Sequence, residues 1–532
     1  MPEWRLTTSR WSLNNHPYIK KRAFIPPISL AIIAAVTPDN FEVDIWDESV
    51  HGFIDKETRF PVSYEIVGIG GYFTHFFRAV AIANFFKKRG VLVVVGGAGV
   101  TASPQAYRDH FDVMILGESE NIWPRFLHDF LAGSYKKRYK DKNLVDISLS
   151  PKPKWGNIKA LMLDNYAVGA IQTSRGCPFR CEFCNVWKVF GRKMRTKTKQ
   201  QVIEEIEEIS DAGMKHIAFC EDNFFGNPKY TKEILRALID LNKTQTVPLY
   251  YYTEISINIA SDDEVLKMLA DAGFAGLFIG VESPSRDSLS ESKKVQNLKG
   301  DLIENCNKIQ SYGLPVEASM IVGFDHDDEG IFDMQFEFLQ KACIPYPRMR
   351  MLQARAGTET FGKLMRENRV LDTSKLHSEG TYFDMYLIPN IIPAKMTRIS
   401  LFEHYIELLE RLYDWDNFTE RMIGFIDIIV YIPERDRKPE VRDPDRKLPQ
   451  ELTNFISLLG EKERQCVVKI LNHTANKAPH QLYNVVSIIV RQQLEAQNLE
   501  ITRKSIMNQI EFERNLDLSK FILKDSTVDG TV

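Results

Sequence analysis

Three of the chain's seven cysteines, Cys177, Cys181 and Cys184, fall within eight residues, whereas Cys220, Cys306, Cys343 and Cys466 stand alone. Their context is Thr173-Ser-Arg-Gly-Cys177-Pro-Phe-Arg-Cys181-Glu-Phe183-Cys184-Asn185, a Cys-x-x-x-Cys-x-x-Cys spacing. On a loop, that spacing can bring three thiolates to one iron–sulfur cube and leave the fourth iron without a protein ligand. An iron left open in this way needs an exogenous ligand. The competing reading is zinc, but a structural zinc site normally takes four protein ligands. No second cysteine pair or nearby histidine completes such a set, since His216 lies far along the chain. In a large intracellular chain a tight cysteine cluster points to metal or redox chemistry before disulfides.

The elements that must present this loop are legible in the hydrophobic pattern. From Pro26 to about Gly133, the apolar runs Phe41–Trp46, Ile66–Ile69, Val91–Val95 and Val113–Leu116 alternate with amphipathic segments such as Phe77–Arg89. That alternation predicts an α/β fold, here a doubly wound domain with a parallel sheet covered on both faces. Ligands of such sheets sit beyond the carboxyl ends of the strands, at the turns Gly96-Gly97-Ala98-Gly99-Val100-Thr101 and Gly117-Glu118-Ser119-Glu120. From spacing alone these glycines read as tight strand-to-helix turns, because they do not match the dinucleotide fingerprint. The charged stretch Tyr135–Lys142, followed by prolines at 151 and 153, reads as a connector.

A second series runs from Val168 to about Ala354, with strands predicted near 168–174, 216–221, 248–256, 276–282, 315–322 and 348–353. Six β-α repeats wind like a barrel of eight and predict a partial (β/α)6 barrel, with the cysteine loop directly after its first strand. Beyond Gly357 the pattern turns helical and loop-rich, Pro433 to Pro449 forms a break, and a helical tail follows. The expected units are an N-terminal α/β domain over 1–150, the barrel over 151–358, a substrate-covering region over 359–432, and a linker with helical tail over 433–532.

Composition narrows the function classes. The 532 residues carry 68 Lys plus Arg against 71 Asp plus Glu, and a net charge of -3 provides no global field for nucleic acid. Hydrophobic residues at 44% and charged residues at 26% exclude disordered, collagen-like and disulfide-scaffold classes. The longest early apolar run, Ile28–Val36, is far short of the ~20 residues that cross a bilayer, and Met1–Arg10 has no signal-peptide layout. A soluble, cytoplasmic protein without a transmembrane segment is expected, with peripheral membrane contact left open.

With these residues in view, the sequence resembles the radical SAM superfamily. The resemblance implies that Cys177, Cys181 and Cys184 hold a 4Fe-4S cluster whose unique iron is chelated by S-adenosylmethionine, with Phe183 beside the last ligand. It also implies that Glu221-Asp222-Asn223 meets the methionine amino group, Gly280-Val-Glu282-Ser283 the ribose, and Ile321-Val-Gly323-Phe324 the adenine. Ile25-Pro-Pro27 with its apolar helix, Asp44–Asp47 and the two glycine turns look like the cobalamin-binding domain that precedes the barrel in one large class. Gly96, Gly97, Thr101, Gly117, Glu118 and Glu120 are the residues so implied. The likeness spans about residues 11 to 430 and is strongest toward hopanoid C-2 methylase-like enzymes, over Gly276–Gln296, Ile321–Phe336 and Asn390–Pro393. Two features depart from that pattern. No Asp-x-His-x-x-Gly element is present, so His51 is expected as a loop residue and not as a cobalt ligand; and Met1–Arg22 lacks the apolar opening strand, so either the start is truncated or the sheet lacks a strand.

The family likeness implies a cobalamin-dependent radical SAM C-methyltransferase. One S-adenosylmethionine is cleaved to a 5'-deoxyadenosyl radical that takes hydrogen from an unactivated carbon, and cobalamin carries the methyl group. The implied substrate is small and hydrophobic, a lipid or isoprenoid, and the implied electron donor is a flavodoxin or ferredoxin. Tyr382, Tyr386 and Ile391 are expected to line a substrate loop over the open side of the barrel. The alternative keeps both cofactors for non-methylating chemistry, such as oxidative cyclisation of a tetrapyrrole. Methylthio transfer is disfavoured, because the four remaining cysteines are too scattered for a second cluster.

Overall fold

Valine and isoleucine dominate the first sheet because both of its faces are covered. In the computed structural model, which describes residues 21–372, 376, 387–436 and 450–524, this sheet holds four parallel strands. They are β1 (Ile66–Gly70), β2 (Leu92–Gly96), β3 (Val113–Leu116) and β4 (Arg138–Lys140), laid side by side in that order. Phe76–Lys87 packs its Ala79, Ile82, Ala83 and Phe86 on one face, while Ile122–Leu131 packs Ile122, Trp123, Phe126 and Leu127 on the other. The helix Ile28–Val36 is apolar on all sides for a related reason. Its Ile33 and Val36 lean on this sheet, and its Ala31 and Ala34 belong to the core of the neighbouring barrel.

Two local expectations are corrected. Phe41–Trp46 alternates like a strand but joins no sheet, because the backbone of Ile45 pairs with a side-chain amide: its N–H donates to Asn157 Oδ1 (2.9 Å) and its carbonyl accepts from Asn157 Nδ2 (3.0 Å). Conversely, the supposed connector contains β4. Its single buried residue, Tyr139, packs on Phe126, and the flanking Arg138 and Lys140 suit the exposed edge of a sheet.

The barrel follows the predicted series closely. Its parallel strands are β5 (Gly169–Ile171), β8 (His216–Phe219), β9 (Tyr250–Ile255), β10 (Phe274–Glu282), β11 (Val316–Val322) and β12 (Tyr346–Met351), in that spatial order with β5 and β12 at the open edges. A two-stranded antiparallel ribbon, β6 (Ser174–Arg175) with β7 (Arg195–Thr196), frames the cysteine loop. Side-chain caps start the barrel's helices where the strands end: Thr198 with Gln201 makes a reciprocal box, and Asn227, Asp262 and Asp301 each accept a first-turn N–H.

The described part of the last hundred residues is helical and packed against the rest of the chain. Trp415–Ile428 and Glu461–Lys477 share a second core with the start of the helix Leu482–Arg514. That terminal helix then runs beneath the barrel. Tyr483 stacks on Tyr250 (5.0 Å) and bonds His216 Nε2 (2.9 Å), Arg491 pairs with Glu317 (3.1 Å), and Glu495 accepts from the Tyr346 hydroxyl (2.8 Å). His216, Tyr250 and Tyr346 each open a strand and Glu317 is second in its own, so the helix covers the amino end of the barrel. Its far half contributes Ile506 and Ile510 to the main core. No helix among the described residues is long and apolar enough to cross a membrane.

Arg398 ties this arrangement together. Its guanidinium bonds Glu513 (2.8 and 2.7 Å) and the carbonyl of Pro389 (2.7 Å), and both partners of the ion pair are 1% exposed. Removing one partner of a buried pair strands the other charge, which costs about 3–5 kcal/mol. Arg398→Ala should therefore lower the urea midpoint by that amount of stability, and Arg398→Met with Glu513→Leu should recover much of it. Equal midpoints for wild type and Arg398→Ala would show that the pair is not holding the helix.

Candidate functional site

The cysteine loop leaves β6 through Gly176, whose φ of +103° and surroundings exclude a side chain: a Cβ there would lie 2.9 Å from the Lys193 carbonyl and 3.1 Å from that of Gly191. Gly191 also receives the N–H of Cys177 (3.2 Å), so the loop closes on itself. Cys181 is buried and Cys177 and Cys184 are half-buried, and all three thiols are free. Burial pushes the Cys177 thiol up and that of Cys184 up to about 12, the neighbouring thiols add to this, and the charge of Lys294 opposes it. Among the described residues no three Cys, His, Asp or Glu side chains converge on a single metal ion. A cube does not ask for that, because each thiolate binds a different iron. Three mutually interacting thiols on one loop form a soft all-sulfur donor set that fits an iron–sulfur cluster.

The acidic residues after β8 brace this loop. Glu221 accepts from the Thr173 N–H (2.6 Å) and the Ser174 hydroxyl, and Asp222 accepts from the Gly176 N–H (2.7 Å). Asn223 accepts from the N–H groups of Phe225 and Ser256 (both 3.2 Å) and from the Ser256 hydroxyl (3.1 Å). The triplet expected to meet a ligand amine therefore also fixes the shape of the cysteine loop, because buried carboxylates beside loop N–H groups accept from them. Burial raises Glu221 to about 7 against the pull of those hydrogen bonds. A carboxylate the sequence reading missed stands nearby: Glu254, near the end of β9, faces Asp222, Arg348 and Arg350, and burial pushes it up to about 7. It sits deep among protein groups yet remains exposed to solvent, and no described side chain hydrogen-bonds its carboxylate.

At the next two strand ends, Glu282 has a φ of +67° and pairs with Lys294 (2.6 Å), and the fully buried Ser283 accepts from the Ser285 N–H (3.2 Å). Gly323 (φ +101°) donates to Asp327 (2.9 Å), and the Ile321 carbonyl accepts from Gln335 (3.0 Å). Phe183 meets Phe324 at 6.1 Å between ring centres, so the cysteine loop and the end of β11 share an apolar wall. Gln296 donates to the Cys181 sulfur (3.8 Å), while its buried Oε1 and that of Asn297, Oδ1, find no partner among the described residues. Ile391, expected on the substrate loop, is fully buried with Phe324, Leu352 and Val370. Tyr382 and Tyr386 lie outside the described residues.

Across from this loop lies the carboxyl edge of the first sheet. β1 and β2 both end in glycine, with Gly70 opposite Gly96, and Gly117 follows β3. Gly97 (φ +112°) has a structural cause, because a Cβ would sit 2.7 Å from the Gly71 carbonyl. Gly117 (φ +87°) differs, since a Cβ there would meet nothing within 4 Å. Thr101 binds the two turns together, donating to the Gly97 carbonyl and accepting from the Gly117 N–H, both at 2.8 Å. Three successive strand ends without side chains give a flat cradle that fits a large planar ligand such as cobalamin. His51 ends the one-turn helix Glu48–His51, lies tilted against Trp46 at 5.0 Å between ring centres, and accepts from the Asp47 N–H.

Glu118 and Glu120, expected beside the ligand, form a clamp between the two halves. Glu118 bonds Arg175 (2.8 Å) and Arg195 (2.7 Å), and Glu120 bonds Arg175 (2.5 Å). Arg175 stands two residues before Cys177, so the clamp turns the glycine edge toward the cysteine loop. The arginines escaped the sequence reading; their signal was adjacency to the motif.

The comparisons agree with this geometry. Residues 171–338 match the model of the radical SAM superfamily. An uncharacterized methyltransferase of Synechocystis sp. is 31% identical over 405 residues, covering 76% of this chain and 73% of the relative. The hopanoid C-2 methylase of Rhodopseudomonas palustris is 28% identical over 399 residues, covering 74% of each. The structure of the cobalamin-dependent S-adenosylmethionine radical enzyme OxsB, with aqua-cobalamin and S-adenosylmethionine bound, matches the fold with a TM-score of 0.58 at 14% identity, over 94% of this chain and 83% of that one. Identity at the level of the first relative, over that much of both chains, carries more than a shared fold: this chain belongs to the cobalamin-binding radical SAM superfamily, among relatives of the hopanoid C-2 methylase.

Proposed function

We propose that the chain is a cobalamin-dependent radical SAM C-methyltransferase acting on an unactivated carbon of a small hydrophobic molecule, a lipid or isoprenoid. The observation that carries the reading is the apposition of a three-thiol loop and a side-chain-free sheet edge across one ionic clamp. When bound, the cluster with S-adenosylmethionine supplies a hydrogen-abstracting radical, and cobalamin supplies a methyl carrier. Cys177, Cys181 and Cys184 hold the cluster. Phe183, Phe324, Ile321 and Gly323 offer an apolar wall for the adenine, and the unpartnered atoms of Gln296 and Asn297 offer acceptors to the same ligand. Gly96, Gly97 and Gly117 let a macrocycle approach the backbone, held level by Thr101. Residues 1–150 form the cobalamin unit, 151–358 the barrel and 359–432 the cover, while the helices beyond 449 close the barrel from below. A flavodoxin or ferredoxin delivers the electron. Support for the substrate class is the likeness to the hopanoid C-2 methylase of Rhodopseudomonas palustris.

Anaerobically reconstituted protein should carry one four-iron cluster, and Cys181→Ala should abolish both the cluster and 5'-deoxyadenosine formation. Zinc at full occupancy, or undiminished cleavage in the variant, would overturn the assignment. With substrate present, equal amounts of 5'-deoxyadenosine and S-adenosylhomocysteine should accumulate, with a 14 Da gain in product mass; 5'-deoxyadenosine alone would exclude methyl transfer.

The cradle has its own test. Gly117→Trp should weaken cobalamin binding at least tenfold, ~1.4 kcal/mol, while Gly117→Ala, which shares the backbone strain without the bulk, should lose less. Equal retention by the tryptophan variant and wild type would mean that no ligand lies over Gly117.

A further inference from the structure

The segment after β10 folds back over the cysteine loop. The Glu182 N–H donates to the Ser292 carbonyl (3.0 Å), Lys293 pairs with Glu182 (2.7 Å), and Gln296 reaches the Cys181 sulfur. Between them lies Lys294, a lysine whose side chain is 11% exposed, with its ammonium 5.9 Å from the centre of the Phe183 ring. Three features serve that ammonium. Glu282 pairs with it from a backbone conformation that side chains rarely adopt. Gly280 leaves the room, since a Cβ there would come 2.6 Å from Lys294 Nζ. Phe183, between Cys181 and Cys184 in the chain, turns its ring to the ammonium and so sets it beside the cysteine loop.

Reduction of a cluster in this loop adds one electron and no proton, and an external one-electron donor is oxidised by one. A fixed cation in a low-dielectric setting stabilises the more negative state, and a hydrogen bond to a ligating sulfur acts in the same direction. Taking the functional reading above as its basis, we propose that Lys294 is a charge-compensating residue that raises the reduction potential of the cluster held by Cys177, Cys181 and Cys184. Glu282 attenuates its charge, and Gln296 adds a hydrogen bond to Cys181. Lys294 keeps its proton throughout and touches no reacting bond.

The test is a redox titration of the reconstituted full-length protein, followed by the electron paramagnetic resonance signal of the reduced cluster without S-adenosylmethionine. Lys294→Met should cut the ratio of reduced to oxidised cluster at a fixed poise by about tenfold, a downward shift of ~59 mV for a one-electron couple. Glu282→Gln should shift the potential upward, and Lys294→Arg should restore the wild-type value. A merely structural pair predicts shifts of the same sign, or none, in Lys294→Met and Glu282→Gln, and either result overturns the proposal. If Lys294→Met fails to hold a cluster, Glu282→Gln decides: an upward shift supports the proposal, and any other value rejects it. A wild-type protein that takes no four-iron cluster would remove the functional reading and this proposal together, whereas a cluster whose potential ignores both residues removes this proposal alone.

Discussion

One guanidinium holds the two halves of the site in register. Arg175 is gripped by Glu118 and Glu120 from the first sheet and stands beside the turn that opens the cysteine loop of the second. All three side chains are largely withdrawn from water, which makes the contact unforgiving: desolvating ions is costly, and only close pairing with good geometry offsets it. A clamp of this kind contributes less to net stability than to orientation. It joins the turn after the glycine edge to the residue that precedes the cysteine loop. Arg195 adds a second fork from the ribbon that frames the loop, bonding Glu118 and the carbonyls of Val145 and Phe190.

Much of this was legible in the chain because it is written at short range. The cysteine spacing, the glycines that end strands and the six apolar runs are local patterns, and each landed within a few residues of its predicted place. What escaped depends on partners distant in sequence. Glu221 and Asp222 carry the right residue types at the right strand end, but their occupation by loop N–H groups is decided by tertiary approach, which no spacing encodes. Phe41–Trp46 has the alternation of a strand, and only the amide of Asn157, more than a hundred residues on, explains why it makes no ladder. The terminal helices were seen as helices, but amphipathic periodicity does not say which surface a helix will cover.

The polar groups around the loop divide into those that build and those that wait. Glu221, Asp222, Asn223 and Asp327 have given their oxygens to backbone N–H groups and fix the shape of the loops. Glu254 and the acceptor atoms of Gln296 and Asn297 have not, among the described residues. Buried acceptors left without donors are costly, so the amide oxygens of Gln296 and Asn297 mark where hydrogen-bond donors from a ligand belong. The wall opposite, from Phe183 to Phe324, accepts only apolar or planar surface.

The helix beneath the barrel has a consequence in time. Tyr483 meets His216 across 267 positions of sequence, and Glu495 meets Tyr346 across 149. At translation rates of about 5–20 residues per second, the partner of His216 emerges on the order of 10 to 50 seconds after it does. During that interval a nascent barrel can zip its strands together but has no floor. Its interior, including charged side chains such as Arg348 and Glu317, is wet until the last helix leaves the ribosome and docks. Completion of the barrel is therefore a late event, and a chain broken off before Tyr483 would keep its cysteine loop but lack the contacts of Tyr483, Arg491 and Glu495 that cover the amino end.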